Sequence, residues 1–222
     1  MYKFEAVEAA PMCARILRVL LTQAPTRGRP GADLRTAVGD FIANSLELLW
    51  HDNYGPPLDN IFETARTTGI GLRPLQVVHD AAAAEAPKTV GATIVKNAMI
   101  QFSLAAECHI IARTTFVSRD DVDRIKKKMN EEFAPMEEVA ADDMAQMTYQ
   151  GLVGLHAALA FFLADTARPL PRMMRYRFYE SLPTLVMAYR LYTDAGRCDE
   201  LRRENKNVHP VFMQMTGRAL SN

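Results

Sequence analysis

The chain is predicted to be mainly α-helical, with a helical bundle body followed by a small C-terminal βααβ unit. Apolar residues recur at helical spacing through most of residues 1–170. Three long helices are predicted in this body, over about 89–116, 119–140 and 144–165. From residue 173 to residue 222 the pattern changes to strand, helix, turn, helix and strand. The sequence therefore predicts two domains, 1–170 and 173–222.

The composition is that of an ordinary folded protein. Apolar residues make up 49% of the 222 residues and charged residues 23%, which excludes a disordered chain. The 26 basic residues balance the 26 acidic ones, so the formal net charge is zero. Proteins that bind DNA non-specifically usually carry a clear excess of basic residues, so this balance argues against DNA as the main partner.

The helical body has local signals for each of its long helices. The short connections between these helices predict antiparallel neighbours. In the first helix, Ile94, Ala98, Phe102, Ala105, His109 and Ile110 recur at helical spacing. Residues 118–121 resemble a capping box at the start of the second helix, and Pro135 is expected to kink that helix or end its regular bonding. The most apolar stretch, residues 151–164, is interpreted as a buried helix that is too short to span a membrane.

Methionine is abundant, with 12 residues in the chain. Several methionines lie in or beside the second and third long helices, where apolar residues are spaced like a coiled-coil seam. They have two interpretations, gap-filling in the core or an adaptable protein–protein surface. The candidate partner-packing surface consists of Met129, Phe133, Met136, Met144 and Met147.

The C-terminal unit begins with an alternating polar and aromatic pattern at 175–179, which predicts a strand. Ser181 is a candidate helix cap, with Pro183 in the first turn of the helix. One face of this helix is predicted to carry Leu182, Leu185, Val186, Tyr189 and Tyr192.

The rest of the unit is read in the same way. Thr193 or Asp194 is a candidate cap for the second helix, which carries Leu201 inward. Asn205 suits a left-handed helix exit, Pro210 blocks further helix, and Gly217 precedes the terminal strand. The signature residues of the unit are Leu182, Leu185, Tyr189, Tyr192, Asp194, Leu201, Asn205, His209, Pro210, Gly217 and Leu220.

This order of signals resembles a LysM module, in which a strand, two helices, a loop containing proline and a Gly-x-x-Leu strand follow one another. The run 182–192, together with Asp199-Glu200, Asn205 and the His209-Pro210 pair, is similar to one family in particular. That family comprises the DNA-circularisation tail proteins of Mu-like contractile-tailed phages. Residues 58–69 and 116–122 are similar to its helical region, whereas its N-terminal β-rich domain has no counterpart here.

The resemblance implies a structural virion protein at the baseplate hub or the tail-tube-initiating ring, which acts by assembly and not as an enzyme. The expected partners are baseplate hub, tail-tube or tape-measure proteins and further copies of the chain in a ring. A membrane is not expected as a partner. The expected location is the tail or baseplate of the virion, after synthesis in the host cytoplasm.

Two other functions stay open beside the assembly role. The first is binding of peptidoglycan through the LysM-like module. In this chain, however, residues 179–181 stand where that family usually has a Gly-Asp-Thr turn. The second is binding of DNA ends for circularisation, against which the neutral net charge argues.

No catalytic, cofactor-binding or metal-binding motif is recognised. The five histidines are dispersed, without HExxH, a Walker loop or GxSxG. His51 and Asp52 lie together in a loop, but neighbours in sequence rarely face one another as a catalytic pair does. Cys108 and His109 are interpreted as a buried thiol and a satisfied core histidine. The three cysteines are expected to be free thiols in a reducing compartment.

Two charged runs are interpreted as solvated helix surfaces. The acidic residues at 137–138 and 142–143 lack the loop spacing of a cation site. The basic run 124–128 is followed by Glu131 and Glu132, which lie one helical turn beyond its lysines. A salt-bridged helix surface is therefore predicted here in preference to a phosphate-binding patch.

Overall fold

A computed structural model of the chain describes residues 1–25 and 27–221. Over these residues the protein is mainly helical, at 72% helix, with a two-stranded antiparallel sheet near the C-terminus. The predicted fold class is confirmed at this level. Helical spacing and caps are local signals, so they survive in the folded chain even where long-range contacts differ from expectation.

The first part of the chain forms five helices, which are α1 (Lys3–Gln23), α2 (Gly28–Trp50), α3 (Gly55–Thr67), α4 (Leu72–Ala83) and α5 (Val90–Arg113). Two long helices follow, α6 (Arg119–Asp142) and α7 (Gln146–Ala167). The last part contains β1 (Met173–Arg177), α8 (Thr184–Tyr192), a 3₁₀ turn (Ala195–Arg197), α9 (Cys198–Glu204) and β2 (Thr216–Leu220). The ends of α5, α6 and α7 lie within a few residues of the predicted ends.

The chain divides into two compact units at points inside α6 and α7. The first unit comprises residues 1–114 and 132–156, and the second comprises residues 115–131 and the chain from 157 onward. The sequence instead suggests a boundary between residues 170 and 173, which stays a prediction. A pair of long helices can belong to both units because each segment of a helix packs locally against its own neighbours.

The first unit is organised around α1, which packs against α2, α4 and α5, while α3 packs against α2 and α5. Ile16, Leu17 and Leu20 place the apolar face of α1 in the core. On α5 the buried residues include Val95, Met99 and Leu104. The predicted stripe on α5 does not lie in the core: Ile94 and His109 are exposed, and the other members, Ala98, Phe102, Ala105 and Ile110, are half-buried. Because α5 is apolar on several faces, its helical spacing did not select the buried one.

Two glutamates of α1 satisfy the backbone at the start of α5. The carboxylate of Glu8 accepts hydrogen bonds from the backbone N–H groups of Lys88 (2.7 Å) and Thr89 (3.1 Å), and Glu5 accepts one from Gly91 (3.0 Å). The hydrogen bonds from Lys88 and Thr89 hold the pKa of the Glu8 carboxyl below its usual value, and the Lys88 N–H is the largest cause. The unpaired N–H groups of a helix start favour negative charge, which explains this arrangement.

The second unit contains the sheet, in which β1 and β2 pair from Met173 with Leu220 to Arg177 with Thr216. The first strand thus begins two residues before the predicted start. Beside the sheet, α8 packs against α9, and α9 packs against β2. The core of this unit is formed by Tyr176, Met187, Ala188, Tyr192, Leu201, Met213 and Ala219.

The start of α8 differs from the prediction. The helix begins at Thr184 after Pro183, and no side chain caps it. Ser181 is not the cap, because its hydroxyl donates to the carbonyl oxygen of Met213 at 2.8 Å. The carbonyl oxygen of Pro210 accepts from the backbone N–H of Thr184 (2.8 Å) and from its hydroxyl (2.6 Å). The loop before α8 is therefore tied to the loop before β2.

The predicted buried face of α8 is also wrong. Leu185, Val186 and Tyr189 are exposed, whereas Met187 and Ala188 are fully buried. The prediction holds for Tyr192, which is 3% exposed. The helix carries apolar residues on both sides, so spacing alone did not decide which side is buried in the core of the unit.

Caps elsewhere follow the prediction more closely. Ser118 accepts a hydrogen bond from the backbone N–H of Asp121 (3.3 Å), which confirms Ser118 as the cap of α6. The carboxylate of Asp121 accepts from the hydroxyl of Ser118 (2.9 Å), whereas a full capping box uses the backbone N–H of the cap residue. Asp194 caps the 3₁₀ turn by accepting from the backbone N–H of Gly196 at 2.8 Å. Asn205 does not take the left-handed exit after α9, since its φ is −94° and Lys206 instead has φ +51°.

Candidate interaction surfaces

The candidate partner-packing surface is divided by the structure into buried and exposed residues. Met129, Phe133 and Met136 are buried within the chain, so the prediction that they meet a partner is wrong. Met144 and Met147 are 90% and 84% exposed. The coiled-coil spacing of α6 therefore reflects burial within its own chain. Of the five residues of the predicted surface, Met144 and Met147, which follow the end of α6, are accessible to a partner.

Helix α7 is apolar along its length and mostly uncovered. It has 22 residues, and only 17% of its most apolar 18-residue window is buried. The interpretation as a short buried helix is therefore wrong. Its buried residues Leu152, Leu159 and Leu163 form a narrow seam, while Tyr149, Val153 and Phe161 are exposed. By length and composition alone the helix could cross a membrane, although a helix of a soluble protein can pass the same test.

A polar contact joins the first half of α7 to α6. The Nδ1 atom of His156 lies 2.8 Å from Oε1 of Glu137, and the His156 ring stacks on Phe133 with centroids 4.7 Å apart. Both partners of the polar contact are less than a quarter exposed. Charged groups are costly inside a bilayer, so this pair argues against α7 as a spanning helix.

The signature residues of the C-terminal unit have different structural roles. Tyr192, Leu201 and Leu220 are buried, and Leu182 packs against the core as a half-buried side chain. Leu185, Tyr189 and His209 are exposed. The resemblance therefore includes residues that form the core of the unit and residues that are accessible to a ligand or partner.

Asn205 and Gly217 lie together at the end of α9. The side chain of Asn205 donates to the carbonyl oxygens of Leu201 and Arg218, both at 2.8 Å, and accepts from the N–H of Arg218 at 2.8 Å. A Cβ at position 217 would lie 2.5 Å from Oη of Tyr176, and Oδ1 of Asn205 would be closer still. Only glycine fits under these two side chains.

A second apolar surface, here called the loop surface, lies on the two loops that flank α8 and α9. It consists of Tyr179, Val208, Val211, Phe212 and Met215, all of which are exposed. The two loops are held together by backbone hydrogen bonds, from Phe178 to Met215 at 2.7 Å and from Met213 to Leu182 at 3.3 Å. The loop surface therefore rests on ordered backbone.

Two of the three cysteines, Cys13 and Cys108, do not have the properties of nucleophiles. Burial raises the pKa of Cys13 to about 12, and burial with the neighbouring charge of Glu107 raises that of Cys108 to about 12. A catalytic thiol needs a lowered pKa, so these are structural thiols. Cys108 is buried as predicted, whereas His109 is exposed and not a core histidine.

His51 borders a groove of about 680 Å³ between α2 and α3. Its ring lies 4.9 Å from that of Trp50, and Lys3 lies over Trp50 at 5.3 Å. The groove also exposes Asp40 and Glu47, so its charged lining is acidic. No nucleophile accompanies His51 among the residues that line this groove, so its geometry does not make a catalytic pair.

The charged runs fit the surface interpretation only in part. Arg124 pairs with Asp121, and Lys127 lies 3.9 Å from Glu131. Glu132 departs from this pattern, because both of its carboxylate oxygens lack accessible surface. It belongs with His79 and Glu107 to a group of side chains that could hold a metal ion, which no spacing in the sequence indicated.

Neither the family models nor the curated proteins compared with this chain give a match.

Proposed function

We propose that the chain is a structural protein of a contractile phage tail, at the baseplate hub or the tube-initiating ring. It acts by protein–protein assembly. The observation that carries the assembly role is the exposed apolar surface of α7, where Met147 and Phe161 are 84% and 78% exposed. Soluble proteins rarely leave contiguous apolar surface uncovered, and such surfaces mark sites of interaction.

The phage location rests on the resemblance of residues 173–222 to the tail proteins described above. The order β1, α8, α9, β2 supports the LysM-like module that the resemblance implies. Asn205 and Gly217 are two of the resembling residues, and they hold the end of α9 against β2. In this proposal the module docks on neighbouring subunits through the loop surface and the exposed face of α8.

A contact between copies and a contact with other tail proteins are both part of the proposal. Copies in a ring would cover α7 through the same patch on each protomer or through two different patches. Either contact would exclude water from the large side chains Met147 and Phe161. The His156–Glu137 contact supports a protein partner over a bilayer, since it places polar groups in the middle of α7.

The test measures assembly of the full chain with co-expressed hub, tail-tube and tape-measure proteins. Light scattering after size exclusion gives the mass of the complex. Met147→Glu and Phe161→Glu place a charge on the apolar surface and are expected to reduce assembly at least tenfold. The matched control is Gln150→Glu, which adds the same charge on an exposed polar position of α7. A wild-type chain that stays monomeric and binds none of these proteins contradicts the proposal, as does flotation with liposomes.

Peptidoglycan binding is the second candidate, and the loop surface favours it. Tyr179 is fully exposed and Phe212 is 71% exposed, and aromatic rings of this kind can stack on sugar rings. The test is a pull-down with purified peptidoglycan. The candidate requires that the wild-type chain be retained and that Tyr179→Ala and Phe212→Ala lower retention, while Tyr149→Ala on α7 does not.

A further inference from the structure

Three metal-ligating side chains from three helices converge in the first unit. His79 lies on α4, Glu107 on α5 and Glu132 on α6, and one ligand atom from each lies within 4.8 Å of the others. Nδ1 of His79 lies 3.8 Å from Oε1 of Glu107. A tetrahedral ion with ligands at about 2.1 Å separates its donors by about 3.4 Å, so small side-chain movements would complete the geometry.

The cluster is shielded from water. Glu107 is 0% exposed and His79 is 7% exposed. Nδ1 of His79, Oε2 of Glu107 and both carboxylate oxygens of Glu132 have essentially no accessible surface. Two buried carboxylates in one place are costly unless positive charge accompanies them. A divalent cation bound by these three side chains would bring positive charge next to both carboxylates.

The surroundings of Glu107 resemble the outer shell of a metal site. The hydroxyl of Ser103 lies 3.3 Å from Oε1 of Glu107 and 3.5 Å from the carbonyl oxygen of Leu75, so it can orient the carboxylate. Ser103 is itself fully buried. Hydrogen bonds of this kind fix ligand carboxylates and are a regular part of metal sites.

We propose that His79, Glu107 and Glu132 bind one divalent transition-metal ion, of the class of Zn²⁺, Mn²⁺ or Fe²⁺. One imidazole with two carboxylates suits these ions better than Ca²⁺ or Mg²⁺, which prefer oxygen ligands alone. The ion links α4, α5 and α6, so its role is structural. It holds the first residues of the 132–156 segment onto the helices that precede it.

The test uses the full-length chain, stripped with a chelator and titrated with Zn²⁺ by isothermal calorimetry. One equivalent is expected to bind, and saturation is expected to raise the melting temperature. Mn²⁺ is titrated in parallel, with its electron paramagnetic resonance signal as the readout. The substitution Glu132→Gln removes a ligand charge at similar volume, and it is expected to weaken Zn²⁺ binding at least tenfold.

The matched control is Glu138→Gln, on the exposed side of the same helix, which should bind Zn²⁺ as the wild type does. His79→Gln provides a second ligand variant, and circular dichroism checks that both variants stay helical. If a variant does not fold, the number of Zn²⁺ ions bound by the wild-type chain is the deciding measurement. The proposal is overturned if the stripped wild-type chain takes up no equivalent of either ion, or if folded Glu132→Gln binds Zn²⁺ with wild-type affinity.

Discussion

The side chain of Asn205 forms two hydrogen bonds with the backbone of Arg218, one to its carbonyl oxygen and one from its N–H, each at 2.8 Å. This pairing imitates a neighbouring strand and fastens β2 to the end of α9. A third hydrogen bond, to the carbonyl oxygen of Leu201, closes the last turn of the helix. One amide side chain therefore joins two elements of the C-terminal unit.

Replacement of Asn205 by alanine is expected to destabilise the C-terminal unit by about 1–3 kcal/mol, because it removes three hydrogen bonds and leaves their backbone partners unsatisfied. Urea unfolding followed by circular dichroism measures the change. Asn44→Ala is the control, since the Asn44 side chain is exposed and bonds only to the carbonyl oxygen of Asp40. Equal stabilities of the two variants would contradict the role given to Asn205.

Alanine substitutions at two glycines are expected to have opposite signs. At Gly217 a methyl group would displace Tyr176 and Asn205, so Gly217→Ala should cost about 1–3 kcal/mol. At Gly151, inside α7, no atom lies within 4 Å of an added Cβ, so Gly151→Ala should stabilise by about 0.5–1 kcal/mol. Melting temperatures of both variants check the prediction, and a shift of the same sign in both would refute it.

The Arg15–Glu85 pair is expected to contribute pH-dependent stability. Arg15 donates two hydrogen bonds to the carboxylate, at 2.8 and 2.7 Å, which hold the pKa of Glu85 below its usual value. A lowered folded pKa stabilises the native state above the unfolded pKa of about 4.3. This contribution is lost as the pH falls through the folded pKa. Arg15 is 56% exposed, so screening limits the contribution to about 0.5–1 kcal/mol.

The Glu85→Gln variant should therefore be less stable than the wild type at pH 7, and the difference should disappear at pH values well below 4. Denaturant unfolding at a series of pH values gives both results. Glu131→Gln, which interrupts a fully solvated pair with Lys127, is expected to change stability little at any pH. If the stability difference between Glu85→Gln and the wild type grew as the pH fell, the predicted direction of the pH dependence would be contradicted.

The cysteines are expected to differ in reactivity. Cys13 is fully buried, and burial raises its pKa to about 12, so it forms almost no thiolate at pH 8. Cys198 is half-buried and should react first with a thiol reagent. Mass spectrometry should locate the first label on Cys198, and Cys198→Ser should remove that fast phase. Rapid labelling of Cys13 in the native chain would show that its helix opens readily.

Local pattern was enough to locate the long helices and the cap at Ser118. It was also enough to indicate the order of elements after residue 173. These features depend on residues within a few positions of one another, such as the Ser118–Asp121 pair. Asn205 and Gly217 were also singled out by sequence, although the bonds of Asn205 to Arg218 emerged only from the fold.

The buried faces were decided by packing over long range. On α8 the spacing favoured the side with Leu185 and Tyr189, but the side with Met187 and Ala188 is the one that lies in the core of the unit. The meeting of His79, Glu107 and Glu132 is of the same kind, because these residues lie on three successive helices and come together only when the helices fold against one another. A helical period limits which residues share a face, whereas the choice of the face that loses water depends on every element that packs against it.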